Sequence, residues 1–254
     1  MSFGKPFPRS LFFLCIKFTS MEQLPFFISA GFIFITVGTV FLLYKAAGNT
    51  KKIWILMSVW LALQAILGLT GFYTVTAVMP PRFLLAVLPP LLFIAGLLVI
   101  PKGRNFTAML NAETLTLLHV VRVPVEIGLY FLAAHKVIPE LMTFEGRNFD
   151  VLSGLSAPFI WYFGFVKKTL PSKLIVLWNF ICLGLLVNIV LTALLSAPFP
   201  FQQLALDQPN IAILYFPFVW LPCCIVPVVL YAHIAVIRQL LRKPVLYPRG
   251  HQLL

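Results

Sequence analysis

Three ionisable side chains lie within one apolar stretch of the chain, TLTLLHVVRVPVEIGLYFLAA (residues 114–134). They are His119, Arg122 and Glu126. Their separations of three and four residues place all three on one face of a helix. A charge near the middle of a bilayer costs between about 2.5 and more than 10 kcal/mol, so such residues usually face the protein interior and mark functional positions. The pattern predicts a polar site inside a membrane-spanning helix, where a substrate, a proton or an ion binds.

Arg122 and Glu126 lie on either side of Pro124, close to the middle of the predicted helix, and each is about 3 Å from that level. Two interpretations remain open at this point. The two side chains form a mutual salt bridge that only holds helices together, as buried ion pairs often do. Alternatively, they line a polar cavity and engage a substrate, a proton or an ion.

His119 and His233 are expected at a similar depth, each about one helical turn from the same side of the membrane. A shared metal ion or a bis-histidine haem would require this arrangement. No second histidine pair, carboxylate cluster or CxxCH motif accompanies them. We therefore expect no metal and no cofactor, and keep haem ligation by these two residues only as a distant alternative.

The next polar stretch is HKVIPELMTFEGRNFD (residues 135–150), which connects two apolar runs. Its sequence Glu-Gly-Arg-Asn predicts a turn in which Gly146 takes a positive φ. Asp150 is expected to cap the helix that follows. The loop either stays in solvent or folds over the mouth of the bundle and joins Glu126. The candidate substrate or ion site therefore consists of Arg122, Glu126, Glu145, Arg147, Asn148 and Asp150.

The elements that must position these residues are membrane helices. Of the 254 residues, 61% are hydrophobic and 10% are charged. A water-soluble domain of this size cannot bury that much apolar surface. We predict an all-α, polytopic transmembrane bundle with about seven spans. The fifth is short, and we expect it to be thinly spanning or partly re-entrant. The predicted spans are 24–44, 53–72, 83–100, 114–134, 151–166, 174–195 and 211–237.

Basic residues lie mostly in alternate connections, which predicts the orientation. Twelve Lys and Arg residues follow spans one, three, five and seven, whereas three follow spans two, four and six. The positive-inside rule then places the N-terminus outside and the C-terminus in the cytoplasm. The net charge of +12 is therefore attributed to topology, and no nucleic-acid binding is expected.

Three regions follow from this pattern. Residues 1–20 form an N-terminal extension, which lies upstream of the true start if synthesis begins at Met21. Residues 21–237 form a single transmembrane domain. Residues 238–254 form a basic cytoplasmic tail.

The segments HVVRVPVEI and PELMTFEGRNFDVLSGLSAP resemble stretches of uncharacterised bacterial multi-pass inner-membrane proteins. The resemblance covers about residues 115–160. It implies a location in the cell inner membrane of a bacterium, and it implies no activity.

Several enzyme classes lack their motifs in this sequence. The chain has no HExxH, no GxSxG and no GxxxxGK[ST], and the predicted spans contain no Asp. We expect a non-enzymatic membrane protein, and favour a small transporter or channel with its polar site on the fourth span and the following outer loop. The alternative is a non-catalytic subunit, assembly factor or sensor; a haem electron carrier comes third. The expected partners are the lipid bilayer and either a membrane protein or a second copy of the chain.

Overall fold

The computed structural model describes Met21 and residues 24–241, and this part of the chain is helical with no β-strand. The predicted extension 1–20 and residues 242–254 of the predicted tail lie outside the described residues. The α-helices are α1 Phe26–Ala46, α2 Lys51–Leu69, α3 Leu84–Val99, α4 Pro101–Met109, α5 Ala112–Leu118, α6 Arg122–Ala134, α7 Val151–Trp161, α8 Ser172–Leu195 and α9 Val226–Leu241. Short 3-10 helices cover Phe72–Thr74, His119–Val121, Glu140–Met142 and Ala212–Leu214, and π-helices cover Tyr162–Val166 and Leu221–Ile225.

The all-α fold is confirmed for the described residues, and several of its helices are able to span a membrane. Five helical stretches between residues 24 and 241 are long and apolar enough to cross a bilayer, and a sixth is added if α3 and α4 count as one span. The five are Phe26–Ala46, Lys51–Leu69, Ala112–Ala134, Ser172–Leu195 and Leu221–Leu241. The number seven and the orientation of the chain stay predictions.

A sharp bend separates α3 from α4, whose axes differ by 90°. Ile100 between them is extended, with φ −70° and ψ 137°, and Pro101 begins α4. The proline ring disfavours helical geometry at the residue before it, while its fixed φ suits the first position of a new helix. If α3 stands along the membrane normal, α4 therefore lies along the membrane surface.

The helix that carries the polar residues is continuous in direction but locally irregular. Helices α5 and α6 are joined by the 3-10 turn His119–Val121. Pro124 lacks an amide hydrogen, and its ring would clash with the carbonyl of Val120, so regular α-helical bonding is interrupted there. Arg122 lies one residue from the middle of the combined span Ala112–Ala134.

The fifth apolar segment is a short helix. Eleven α-helical residues of α7 are followed by five π-helical residues ending at Val166. At about 1.5 Å per residue this is roughly 24 Å, less than the ~30 Å of a hydrocarbon core. The segment is therefore shorter than a hydrocarbon core of normal thickness, as the expectation of a thinly spanning or partly re-entrant segment requires.

The boundaries predicted for the last span are wrong at both ends. Residues 211–219 form a 3-10 turn and a buried loop, and the continuous apolar helix includes Leu221–Leu241. A buried apolar loop has the same composition as a helix, so hydropathy cannot separate the two. Arg238, assigned to the tail, belongs to α9, and its Nη1 donates to the carbonyl of Leu98 at 2.7 Å.

The bundle is arranged around its last helix. Most of Leu221–Leu241 is buried, whereas most of α2 is exposed. Large apolar side chains cover the outside; for example, Phe34 is 76% exposed and Ile55 is 60% exposed. An apolar exterior of this extent is compatible with lipid as its solvent.

Candidate functional site

His119, Arg122 and Glu126 all face the interior of the bundle, as their spacing predicts. Their exposed fractions are 0%, 3% and 2%. Because Arg122 lies at the middle of its span, the groups that contact it must be brought to that level by other elements.

Arg122 pairs with Asp150 and not with Glu126. The Nη1 atom of Arg122 lies 3.1 Å from Oδ1 of Asp150. No salt bridge joins Arg122 to Glu126 among the residues that the structure describes. The hypothesis of a mutual Arg122–Glu126 salt bridge is therefore wrong about the partner. Glu126 instead accepts a hydrogen bond of 2.5 Å at Oε1 from Nδ2 of Asn148.

Close contact between α6 and α7 makes the ion pair possible. A Cβ at Gly154 would lie 2.8 Å from Cγ2 of Val123 and 3.2 Å from Cβ of Arg122. Only glycine fits at this separation. The N-terminal end of α7, with Asp150, therefore lies directly against the middle of the fourth apolar segment.

Asp150 occupies the N-cap position of α7 as predicted, but its carboxylate makes no capping hydrogen bond. The backbone N–H of Asp150 donates to Oδ1 of Asn148 at 3.0 Å, which holds these two residues in a local turn. Pairing with a buried guanidinium replaces capping, because an unpaired buried charge is far more costly than an uncapped helix end.

Residues 135–150 form a segment that enters the bundle without forming an α-helix. Val137, Ile138 and Met142 in this segment are at most 1% exposed. The carbonyl of Val137 accepts from the N–H groups of Ile211 and Ala212, and Asn148 Nδ2 also donates to the carbonyl of Met142 at 3.0 Å. Non-helical backbone is tolerated at membrane depth only when protein or water satisfies its polar groups, and these bonds do so.

The turn before Asn148 differs from its prediction. Gly146 does not take a positive φ; the described glycines that do are Gly48 and Gly71. Its role is steric instead, since a Cβ at Gly146 would lie 2.5 Å from Cα of Leu141. The turn therefore needs glycine because two backbone segments approach closely there.

Glu145 and Arg147 are not part of the buried cluster. Both side chains are exposed. Arg147 is bonded through its backbone: its N–H donates to the carbonyl of Leu141 at 3.1 Å, and its carbonyl accepts from Nδ2 of Asn188 at 3.0 Å. Of the six candidate site residues, the structure brings together Arg122, Glu126, Asn148 and Asp150, and leaves these two at the surface.

Several polar atoms of the buried cluster have unused hydrogen-bonding capacity. Nε and Nη2 of Arg122 and Oε2 of Glu126 have no hydrogen-bond partner within the part of the chain that the structure describes. Buried groups of this kind are normally satisfied, and those that are not indicate a water molecule, an ion or a ligand.

A cavity of about 150 Å³ lies beside these residues, and nearly all of its wall is apolar. Arg122, Glu126 and Asp150 line one part of it, and apolar side chains such as Phe83, Leu186 and Val229 line most of the rest. A dry cavity of about this size accommodates benzene in a well-studied soluble protein. The cavity therefore suits a molecule of about six non-hydrogen atoms.

The two histidines predicted at a similar depth are in direct contact. The rings of His119 and His233 stack with centroids 3.8 Å apart and an angle of 14° between their planes. A metal bound by both would need a ring nitrogen of each about 2.0 Å away, with the rings edge-on to it. Face-to-face rings do not fit a shared metal or haem iron. Groups of three or more metal-binding side chains are likewise absent from residues 24–241 that the structure describes.

Asn179 is a polar residue of this core that sequence reasoning missed. Its Nδ2 donates to the carbonyl of Ile175 at 2.9 Å, so its Oδ1 accepts from Nδ1 of His233 at 2.8 Å. His233 therefore carries its proton on Nδ1. An amide within a predominantly apolar helix was the available signal.

A separate buried pair lies near the end of α2. The hydroxyl of Tyr73 donates to Oε1 of Gln64 at 2.6 Å, and burial raises the pKa of Tyr73 to about 12. The hydroxyl is therefore neutral and already bonded. This pair stabilises the packing of the connection after α2 and has no feature of a binding site.

The fold and the buried cluster define a helical membrane protein with a polar core at the middle of its bundle. The chain belongs to the family described as domain of unknown function DUF8737, whose sequence model matches residues 79–241. That range contains the buried cluster around Arg122 and the contacts of His119, His233 and Asn179. None of the curated proteins and none of the solved structures matches the chain.

Proposed function

We propose that the protein is a small membrane carrier whose substrate binds in the cavity beside Arg122, Glu126 and Asp150. One observation carries the proposal: residues 135–150 enter the bundle and bring Asn148 and Asp150 to the charges at the middle of α5–α6. An ion pair that only fastened two helices would need neither the adjoining cavity nor free donors on Arg122.

The chemistry of the cavity indicates the class of substrate. Arg122 offers two free donor nitrogens, and Glu126 offers a free carboxyl oxygen. The remaining wall is apolar and favours a hydrocarbon part. A small, partly apolar molecule with one carboxylate, carbonyl or hydroxyl group satisfies both requirements.

The interruption between α5 and α6 and the non-helical segment 135–150 are compatible with a gate that moves. Interrupted helices near the middle of the membrane are typical of transporter binding sites. In this proposal the 135–150 segment and α7 move together to open the site to the outer surface. The proposed setting is the inner membrane of a bacterium, with seven crossings, an outside N-terminus and a cytoplasmic C-terminus.

The second candidate is a non-catalytic membrane subunit, assembly factor or sensor. The observation in its favour is the 3.1 Å Arg122–Asp150 pair, which by itself compensates both buried charges. In that case the cavity is a packing defect and no solute crosses. The partner is then another membrane protein or a second copy of the chain.

Permeation through reconstituted vesicles separates the two candidates. Stopped-flow light scattering on vesicles that contain the protein would measure entry of butyrate, acetate and glycerol, with glucose as a solute too large for the cavity. The carrier proposal expects at least one small solute to enter tenfold faster than into protein-free vesicles. Equal rates for all solutes would contradict it.

Glu126→Gln is the discriminating variant, because glutamine keeps the shape and can still accept from Asn148. The substitution removes the hydrogen bond between the substrate and the Glu126 carboxylate. A hydrogen bond to a charged group contributes about 1.5–3 kcal/mol, so permeation should fall roughly ten- to a hundredfold. Glu113→Gln is the matched control on α5; Oε1 of Glu113 accepts from Trp161 at 2.9 Å, away from the cavity. Equal effects of the two substitutions would favour the structural role.

A further inference from the structure

A second cavity, here called the lateral groove, lies between α1, α2, α3 and α9. Its volume is about 460 Å³. The side chains that form it include Leu43, Met57, Trp60, Phe93, Leu97 and Phe106. The groove is separate from the core around Arg122, and the proposed carrier function does not use it.

The few polar groups along the lateral groove are already bonded. Nε1 of Trp60 donates to the carbonyl of Cys223 at 3.0 Å, and the hydroxyl of Tyr231 is hydrogen-bonded to Oγ1 of Thr107 at 2.8 Å. The groove therefore presents an apolar surface. Hydrocarbon is the chemistry that matches it, since a polar occupant would lose its hydration without gaining partners.

One end of the lateral groove is held rigidly. Nε2 of Gln239 donates to the carbonyls of Thr107 and Leu110 at 2.7 and 3.0 Å, which fastens α4 to α9. The N–H of Asn111 donates to the carbonyl of Ala46 at 2.8 Å, which joins the connection after α4 to the last residue of α1. The groove is thus formed in advance at this end.

Basic residues are close in sequence to groove residues at the same end. Ile53 and Phe106 line the groove, and the cations Lys52 and Arg104 lie one and two residues from them. The cations at the end of α1, at the start of α2 and on α4 are exposed, and none forms a salt bridge among the described residues. They are Lys45, Lys51, Lys52, Lys102 and Arg104.

We propose that the lateral groove binds an acyl chain of an anionic phospholipid, whose phosphate is held by the cations at the end of α1, at the start of α2 and on α4. Basic clusters beside membrane helices recognise anionic headgroups. The bilayer supplies such lipids directly to a groove on the side of the bundle. Apolar walls without free donors bind the chain, and cations that form no salt bridge among the described residues select the headgroup.

Quenching of tryptophan fluorescence by brominated lipid tests the proposal on the full-length protein. Nanodiscs are prepared with dibromo-phosphatidylglycerol or dibromo-phosphatidylcholine diluted into unlabelled phosphatidylcholine. Subtracting the signal of Trp60→Phe isolates Trp60, which lines the groove. We expect half-maximal quenching of Trp60 at a mole fraction of brominated lipid at least tenfold lower for phosphatidylglycerol than for phosphatidylcholine.

Charge variants then identify the headgroup site. Each cation near an anionic lipid contributes about a fivefold factor, so Lys51→Gln with Lys52→Gln should weaken the phosphatidylglycerol preference at least tenfold. Lys167→Gln with Lys168→Gln is the matched control, a second pair of adjacent exposed lysines on another connection. The control pair should leave the preference unchanged.

Native mass spectrometry of the wild-type protein and of both charge variants provides a measurement that does not need Trp60→Phe to fold. Retention of phosphatidylglycerol by the wild type and the control, with loss in Lys51→Gln/Lys52→Gln, supports the proposal. Equal retention of both lipids, equal effects of the two charge variants, or retained lipid without quenching of Trp60 would each overturn it.

Discussion

Removing one member of the Arg122–Asp150 pair should destabilise the protein far more than removing both. The Nη1–Oδ1 distance is 3.1 Å, and both side chains are less than a tenth exposed. At an effective dielectric constant of about 20, their attraction is about 5 kcal/mol. Arg122→Met or Asp150→Asn alone leaves an unpaired buried charge, at a cost of about 3–5 kcal/mol. The double variant removes both charges and should recover most of that loss.

The free energy of unfolding can be followed by circular dichroism in mixed micelles, with increasing SDS as the denaturant. A double-mutant cycle on Arg122 and Asp150 should give a coupling free energy of about 3 kcal/mol or more. A second cycle, on Arg122 and Glu126, serves as the control, because these residues share a helix face but form no salt bridge in the described structure.

The relative size of the two coupling free energies tests which residue pairs with Arg122. The structure requires the Arg122–Asp150 coupling to be the larger. If Arg122 couples more strongly to Glu126, the pairing across α6 and α7 is refuted, and the neighbouring pair along one helix replaces it.

Two further substitutions test the surroundings of the site by thermal unfolding in detergent. Gly146→Ala should lower stability by about 1–3 kcal/mol, since its Cβ would lie 2.5 Å from Cα of Leu141; Gly184→Ala, which meets open space, should not. Asn179→Leu should also cost about 1–3 kcal/mol, because it leaves the Nδ1–H of His233 buried without an acceptor.

Asn188→Leu is the control for Asn179→Leu, since both amides lie on α8 but Asn188 bonds to an exposed segment. Similar melting temperatures for these two variants would show that the His233 hydrogen bond contributes little. An unchanged melting temperature for Gly146→Ala would show that the turn relaxes without strain.

The helical residues of the core were predictable because one local rule governs them. A spacing of three and four residues fixes a common helix face, so His119, Arg122 and Glu126 were expected inside and are inside. The similar depth of His119 and His233 followed from counting turns. Their stacking did not, since it depends on the rotation of two helices about their axes.

The partner of Arg122 was not predictable from the sequence alone. Asp150 reaches Arg122 because residues 135–150 fold back into the bundle, and that path depends on contacts with residues 208–212 far along the chain. Local propensity favoured a capping role for Asp150, and the tertiary pairing prevailed. Glu145 and Arg147 lie in the same polar stretch but face outward, a distinction that composition cannot make.

The Arg122–Asp150 pair also has a consequence for how the protein is made. Asp150 is synthesised 28 residues after Arg122, a delay of about one to six seconds at ordinary rates of translation. During that interval, the nascent helix around Arg122 meets the translocon with its guanidinium uncompensated, at about 2.5–3.5 kcal/mol. α7 is too short to insert firmly alone. The Arg122–Asp150 salt bridge therefore makes membrane insertion of the fourth and fifth apolar segments depend on each other. We expect the two segments to insert together.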